Sequence, residues 1–447
     1  MNKNKSTWHH DLPASLVVFL VALPLCLGVG LASTNVPTIT GLPSVFSGLI
    51  AGVIGGVVVG FLSKSKIGVS GPAAGLITIV IAAITTLGSF EGFLVAVVIA
   101  GILQIAAGFL KLGILANYFP SSVIKGMLAA IGITLLLKEF PHAIGYDKDF
   151  FGDESFFQND GHNTFSELLY AMNALHPGSI IISIVSIAIL LLFERPFFKK
   201  IGLFKFLPSA LFVVVIGVLL NMFFAQFSER FAIQLEHLVQ IPVVASISDV
   251  SNLIVFPDFS FLRNPNVYII GATIALVGSL ETLLSVEATD KLDPMKNHTP
   301  TNRELKAQGI GNIVSGLLGG LPITQVVVRS SANINAGASS KKSTIFHGLL
   351  LMIAVLFLAP LINKIPLASL AAILIMVGYK LAKVQLFKQV YQQGLDQFIP
   401  FVVTIVAVLM TDLLKGILAG IVVSIFYILK RNYKNNFKIE QTQNEVI

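Results

Sequence analysis

Glu281 is the carboxylate with the clearest chemistry in this 447-residue chain. It lies inside residues 267–284, an apolar run that has no other charge and is long enough to cross a bilayer. A carboxylate at membrane depth is costly, so it faces a polar cavity, a partner or a transported ion. Ser285 follows one turn later on the same helix face. Carboxylate and hydroxyl together suit Na⁺, which makes Glu281 and Ser285 a candidate metal site. A carboxylate in a low-dielectric site equally suits H⁺. The energetics favour such a partner. At 100 mV, inside negative, importing one negative charge costs about 2.3 kcal/mol. One co-imported cation cancels that cost for a monoanion, and a dianion needs two.

Two polar breaks supply the complementary chemistry. Val69-Ser-Gly-Pro-Ala-Ala-Gly75 and Leu321-Pro-Ile-Thr-Gln-Val-Val-Val-Arg-Ser-Ser-Ala-Asn333 each interrupt apolar sequence. A helix that begins in mid-membrane exposes its first N–H groups and the positive end of its dipole, about +0.5 charge. Such an N-terminus binds anions. The expected donors are the N–H groups of Ala73, Ala74 and Gly75 and of Val326, Val327 and Val328, with side-chain groups of Thr324 and Gln325 added. Arg329 falls about one turn inside the second helix. It either attracts the anion, pairs with Glu281 or snorkels to an interface. The plain alternative for each break is a proline kink in a packed helix. Pro24, Leu25 and Cys26 in the first apolar run either line the same cavity or simply pack.

The elements that must position these groups are membrane helices. A bilayer core needs about 20 apolar residues per helix. Fourteen segments are expected, at 13–32, 43–62, 72–87, 93–112, 121–139, 177–194 and 207–225, then 267–287, 306–320, 324–337, 343–361, 366–381, 398–414 and 415–430. Lys and Arg favour short cytoplasmic loops. With the N-terminus inside, Lys64, Lys66, Lys111, Lys199, Lys200, Lys205, Lys341 and Lys342 all fall on the inner side, and both termini are basic. The expected localisation is therefore the cytoplasmic membrane, multi-pass, with both termini cytoplasmic. The loop 140–176 is external and acidic, with Asp147, Asp149, Asp153, Glu154 and Asp160, and reads as a solvated connection. The expected domains are a terminus at 1–12, a first repeat at 13–225, a linker at 226–266, a second repeat at 267–430 and a short tail at 431–447. Seven segments per half is an odd number, so the second half is inverted. Interrupted segments at corresponding positions of inverted halves point to a transporter's central site.

Composition agrees. Hydrophobic residues make up 55% and charged residues 12%, against about 25% charged in soluble domains. Mean hydropathy is +0.84. The net charge of +7 follows from topology rather than from a nucleic-acid partner. Cys26 is the only cysteine, so no internal disulfide forms. The run 12–31 exceeds the 7–15 residues of a signal-peptide core. His9, His10, His298 and His347 show no metal spacing. No resident cofactor is expected, Na⁺ being at most a co-transported ion, and no cluster at membrane depth suggests an enzyme.

Several stretches make the chain resemble the SulP family of inorganic anion transporters. These are Asp11-Leu-Pro-Ala, Val21-Ala-Leu-Pro-Leu-Cys-Leu-Gly28, the first break, Ser279-Leu-Glu-Thr-Leu-Leu-Ser285, Asn302-Arg-Glu-Leu-Lys-Ala-Gln-Gly-Ile-Gly-Asn-Ile-Val314 and Val328-Arg-Ser-Ser-Ala-Asn-Ile-Asn-Ala-Gly337. The resemblance implies an all-α polytopic fold with a seven-plus-seven inverted repeat, a core and a gate domain, and a homodimer. It implies an anion, bicarbonate or sulfate, between the third and tenth half-helices, and an elevator-like mechanism. It also implies that Glu281 and Ser285 hold Na⁺, or that Glu281 carries H⁺. The family usually ends in a STAS domain, and none is expected after residue 430 of this sequence. Leu25 and Val328 replace the usual Gln and Ser, which reduces the side-chain contribution to anion binding. The rival readings are a nucleobase permease of the same fold, whose polar motif is missing around 321–337, and an uncoupled anion channel or exchanger, which would not need Glu281.

Overall fold

The computed structural model describes residues 8–34, 36, 44–149, 151, 156, 163–195, 208–228, 230–241, 243 and 254–444. Helices dominate. They are α1 (Trp8–Thr34), α2 (Ser44–Ile54, prolonged through Leu62), α3 (Ile77–Leu87), α4 (Phe90–Phe109), α5 (Ser121–Ile144), α6 (Thr164–Ala171), α7 (Pro177–Glu194) and α8 (Ser209–Phe227). There follow α9 (Pro265–Leu292), α10 (Thr301–Leu317), α11 (Val327–Asn335), α12 (Lys342–Ile353, prolonged through Ile362), α13 (Leu367–Leu381), α14 (Val384–Gln392), α15 (Leu395–Met410) and α16 (Leu413–Asn444). Each of the fourteen expected ranges contains a helix. Among the described residues, nine helices are long and apolar enough to cross a membrane. A tenth arises if the pair Leu112–Tyr118 and Ser121–Ile144, bent by 87°, is one span. The fold is thus a helical, polytopic membrane fold.

Three expectations need correction. The fold is not purely helical: each break contains a three-residue strand, β1 (Ser70–Pro72) and β2 (Ile323–Gln325). The half-helices therefore start after Pro72 and Thr324 rather than at them. The region after residue 430 is not a free tail, because α16 continues to Asn444. The acidic loop after α5 is not simply solvated. Asp147 accepts hydrogen bonds from His142 Nδ1 and His237 Nδ1, both at 2.5 Å, and Lys138 lies 3.6 Å from Glu167 and 3.7 Å from Asp149. Burial pushes the Asp147 carboxyl up, but the hydrogen bonds and charge of the two histidines outweigh it and hold the carboxyl below its usual value. Asp153, Glu154 and Asp160, like Lys199, Lys200 and Lys205, lie outside the described residues.

Two sets of helices pack mainly among themselves. In one, α4 packs on α9 and α10, and α1 packs on α2, α11 and α12. In the other, α5 packs on α13 and α15, α7 on α8 and α13, and α15 on α16. Lipid gives no hydrophobic drive between helices, so close contact depends on small residues. The α4–α10 crossing shows this: a Cβ added to Gly101 would stand 2.5 Å from the Gly309 carbonyl oxygen, and one on Gly309 would stand 2.6 Å from that of Gly101. Gly132 and Gly378 play the same part between α5 and α13, at 2.7 Å each way.

Candidate functional site

The two breaks, 250 residues apart in sequence, are joined directly. β1 and β2 pair antiparallel in the register Ser70 with Gln325, Gly71 with Thr324 and Pro72 with Ile323. Each strand runs into a helix, through the tight turn Ala74–Leu76 into α3 and directly into α11. Because the strands are antiparallel, the two helices leave the ribbon in opposite directions. Neither start has a side-chain cap, so the orphan N–H groups of a helix N-terminus are left to a ligand or water.

The donors are not quite those expected. Val326 N–H is already used, donating to the Val69 carbonyl at 2.9 Å. The N–H groups of Ala73, Ala74 and Gly75, and of Val327, Val328 and Arg329, donate to no acceptor among the described residues. Gln325 is buried, and its Nε2 is committed to Thr289 Oγ1 at 3.1 Å and the Ser285 carbonyl at 3.4 Å. Thr324 is fully buried and its Oγ1 has no hydrogen-bond partner among the described residues. Ala74 and Gly75 line a cavity of about 240 Å³, with Thr78 beside them, Thr134 of α5 across from them, and Thr411 and Lys415 also in the lining. Ala73 is 3% exposed and packed.

The charged groups flank the first break. A Cβ on Gly71 would collide with Arg329 Nη1, and one on Gly75 would stand 3.1 Å from Glu281 Oε1. Glycine leaves room for the guanidinium at the first position, and at the second a Cβ would need the carboxylate to give by a few tenths of an ångström. Arg329 is 1% exposed, and its Nε and Nη1 have no hydrogen-bond partner among the described residues. The guanidinium lies near the Cys26 thiol and His347. A buried cation without full compensation is costly, and a bound anion would offset that cost. Leu25 and Cys26 are packed, with Cys26 against Gly48 and Gly52 of α2, and they line neither cavity that reaches Gly75. Ser285 is buried one turn below Glu281.

What the sequence reading missed is the scaffold behind the ribbon. On α10, Glu304, Gln308, Asn312 and Ser315 share one buried face. Asn312 accepts from Ile323 N–H at 2.6 Å and donates to the Ile323 carbonyl at 3.0 Å and to Gln104 Oε1 at 2.7 Å. Gln308 donates to Ser70 Oγ at 2.7 Å and Glu304 Oε1 at 2.9 Å, and Ser63 Oγ donates to Glu304. Ser330 Oγ accepts from Val69 N–H at 3.0 Å, and Asn333 donates to the Ile67 carbonyl at 2.9 Å. A row of amides at helical spacing in a membrane segment is the signal that would have found them. Asp11 is a further anchor: its carboxylate accepts from the backbone N–H groups of Ser339 and Ser340, both at 2.9 Å.

The profile of the sulfate permease family matches residues 8–407. The chain is 28% identical to YvdB of Bacillus subtilis (strain 168), over 85% of this chain and 66% of that protein. It is 26% identical to the bicarbonate transporter BicA of Picosynechococcus sp., over 86% of this chain and 63% of that protein. It therefore spans just under two thirds of the length of these relatives. The solved transmembrane domain of a cyanobacterial BicA superposes with a TM-score of 0.61 at 22% identity, covering 94% of this chain and 97% of that one. That likeness establishes the fold.

Proposed function

This chain belongs to the sulfate permease family, and from that premise we propose that it is a secondary active transporter of a small inorganic anion, bicarbonate or sulfate, in the cytoplasmic membrane. The observation that carries the reading is the β1–β2 ribbon, which joins two breaks that each run into an uncapped helix N-terminus, the first of them lining a cavity through Ala74 and Gly75. The backbone N–H groups of Ala74 and Gly75 then meet the anion in the cavity, and the N–H groups of Val327, Val328 and Arg329 add the positive end of the second helix dipole. Arg329 adds positive potential from behind Gly71. Backbone donors suit a small oxyanion and offer little to a heterocycle, which disfavours the nucleobase reading. Glu281 beside Gly75 supplies the coupling site, with Ser285 as the second ligand if the cation is Na⁺. Movement of the set containing α3 and α11 against the set containing α5 and α15 provides elevator-like alternating access, in a homodimer with both termini cytoplasmic.

Proteoliposome uptake of labelled bicarbonate and of labelled sulfate, with and without Na⁺ and a pH gradient, tests this. The expected result is accumulation of one anion that depends on one of the cations and is lost in Glu281→Gln. Accumulation of neither anion under any gradient would refute it.

A further inference from the structure

The cavity beside Ala74 and Gly75 has an inner neighbour. A pocket of about 10 Å³ adjoins it, lined by Gly75, Glu281 and Leu284 on one side and by Leu413, Leu414 and Ile417 on the other. That is about the room one water-sized sphere needs. Gly75 and Leu413 are the two residues that line both spaces. Outside them the lining includes Thr78, Thr134 and Thr411, with the Asp412–Lys415 ion pair beside Thr411. Inside, apart from the Glu281 carboxylate, the side chains are aliphatic.

We propose that Leu413, set against Gly75, is the neck through which the coupling cation passes from the anion's own vestibule to Glu281. This rests on the transport reading above. A hydrated cation can wait among the threonines but not among Leu284, Leu414 and Ile417, where nothing replaces its water. It must shed most of its shell at the neck and meet the carboxylate directly. Gly75 contributes no side chain to the neck, and a Cβ there would stand 3.1 Å from Glu281 Oε1, tight enough that the carboxylate would have to give. The opposite wall is therefore where control resides. Leu413 is the first residue of α16, directly after the helix interruption at Thr411 and Asp412 that ends α15. It belongs to the second helix set, and Gly75 and Glu281 belong to the first. Any sliding of one set past the other changes the width of the neck. One consequence is directional: both ions load from the same side in the same conformation, which is the requirement for symport rather than exchange.

The test measures access and needs no transport. In a Cys26→Ala background, single cysteines are placed by Leu414→Cys, inside the neck, and by Thr411→Cys, outside it. The reconstituted protein is exposed to Ag⁺, a small thiol-reactive cation, and unblocked thiols are then counted with a maleimide after denaturation. Leu414→Cys should react at least about tenfold more slowly than Thr411→Cys, and Leu413→Ala should remove most of that difference, about 1.4 kcal/mol of barrier. Leu413→Phe, which keeps the site filled, should slow Leu414→Cys further. A Leu414→Cys rate unchanged by both substitutions, with Thr411→Cys reacting normally, would overturn the neck. Should Leu413→Ala fail to fold, Leu413→Phe decides alone: slowing supports the neck, an unchanged rate overturns it. Absence of anion uptake with these labelling rates intact would fault the transport reading and leave the neck standing.

Discussion

The two breaks look alike in sequence and do different work. The first, around Pro72, offers almost nothing but backbone: Ala74 and Gly75 are half-buried, carry no polar side chain and line the open cavity. The second, around Thr324, is rich in polar side chains and almost wholly buried, and those chains point away from the cavity. Gln325 reaches α9, while Ser330 and Asn333 hold the backbone of residues 67–69. In the proposed reading the first break presents its backbone to the ligand in the cavity, and the side chains of the second are the frame that keeps that surface in place. Polarity in a membrane break therefore need not mark the contact face, because side chains buried in lipid must find partners and often find them in the protein.

This comparison can be broken in several ways. The largest effect is expected at the contact face. Gly75→Leu fills the cavity and presses on Glu281, so uptake should fall by about 100-fold or more in protein that remains monodisperse. Normal uptake would place the anion elsewhere. Next comes the frame. Asn312→Ala leaves the Ile323 N–H and carbonyl without partners, at about 1–3 kcal/mol each. It should lower the thermal unfolding temperature markedly, even with no anion present. An effect on transport with unchanged stability would make Asn312 a contact residue instead.

A smaller effect is expected at the outer brace. The hydrogen bond to Asp147 raises the His237 imidazole above its ordinary value, so the protonated form is favoured in the folded state. Stability from this group is fully present below the unfolded value of about 6.5 and is lost as pH rises through the raised folded value. Asp147, held low, contributes stability above its unfolded value and loses it only as pH falls through its lowered one. The brace is thus firmest at mildly acidic pH. Segment 238–241 is tied to the α12–α13 turn through Val239 to Ile365 at 3.0 Å and Ile241 to Asn363 at 2.7 Å. Its hydrogen exchange should accelerate with a midpoint above about 6.5, beyond the intrinsic pH dependence, and His237→Asn should abolish the midpoint.

The smallest effect belongs to Thr324→Val. Its hydroxyl has no partner among the described residues and lies outside the cavity lining, so binding should weaken by less than about 0.5 kcal/mol, below the usual worth of one hydrogen bond. A tenfold loss of affinity in a titration would return Thr324 to the contact face.

Much of this was legible in the sequence. Pro72, Pro322 and their small or polar neighbours interrupt apolar runs, and interruption survives in one dimension. Glu281 stood out for the same reason. The β1–β2 ribbon was not legible, because three-residue strands carry no periodicity and their pairing spans the chain. The roles of Gln325 and Asn312 were hidden too: an amide's partner is a tertiary fact, and Asn312 is bonded to Gln104, far away in sequence. Asp147 read as solvated because one of the two histidines that bind it, His237, lies 90 residues away in another segment.

The central claim is that backbone N–H groups at the ribbon hold the anion. Amide resonances in protein selectively labelled at glycine, alanine and valine test it most directly. Adding bicarbonate or sulfate should shift Ala74, Gly75, Val327 and Val328 together, saturably and with one affinity, while Val326, whose N–H is already bonded, moves least. Saturable binding that leaves those four amides unmoved would contradict the account.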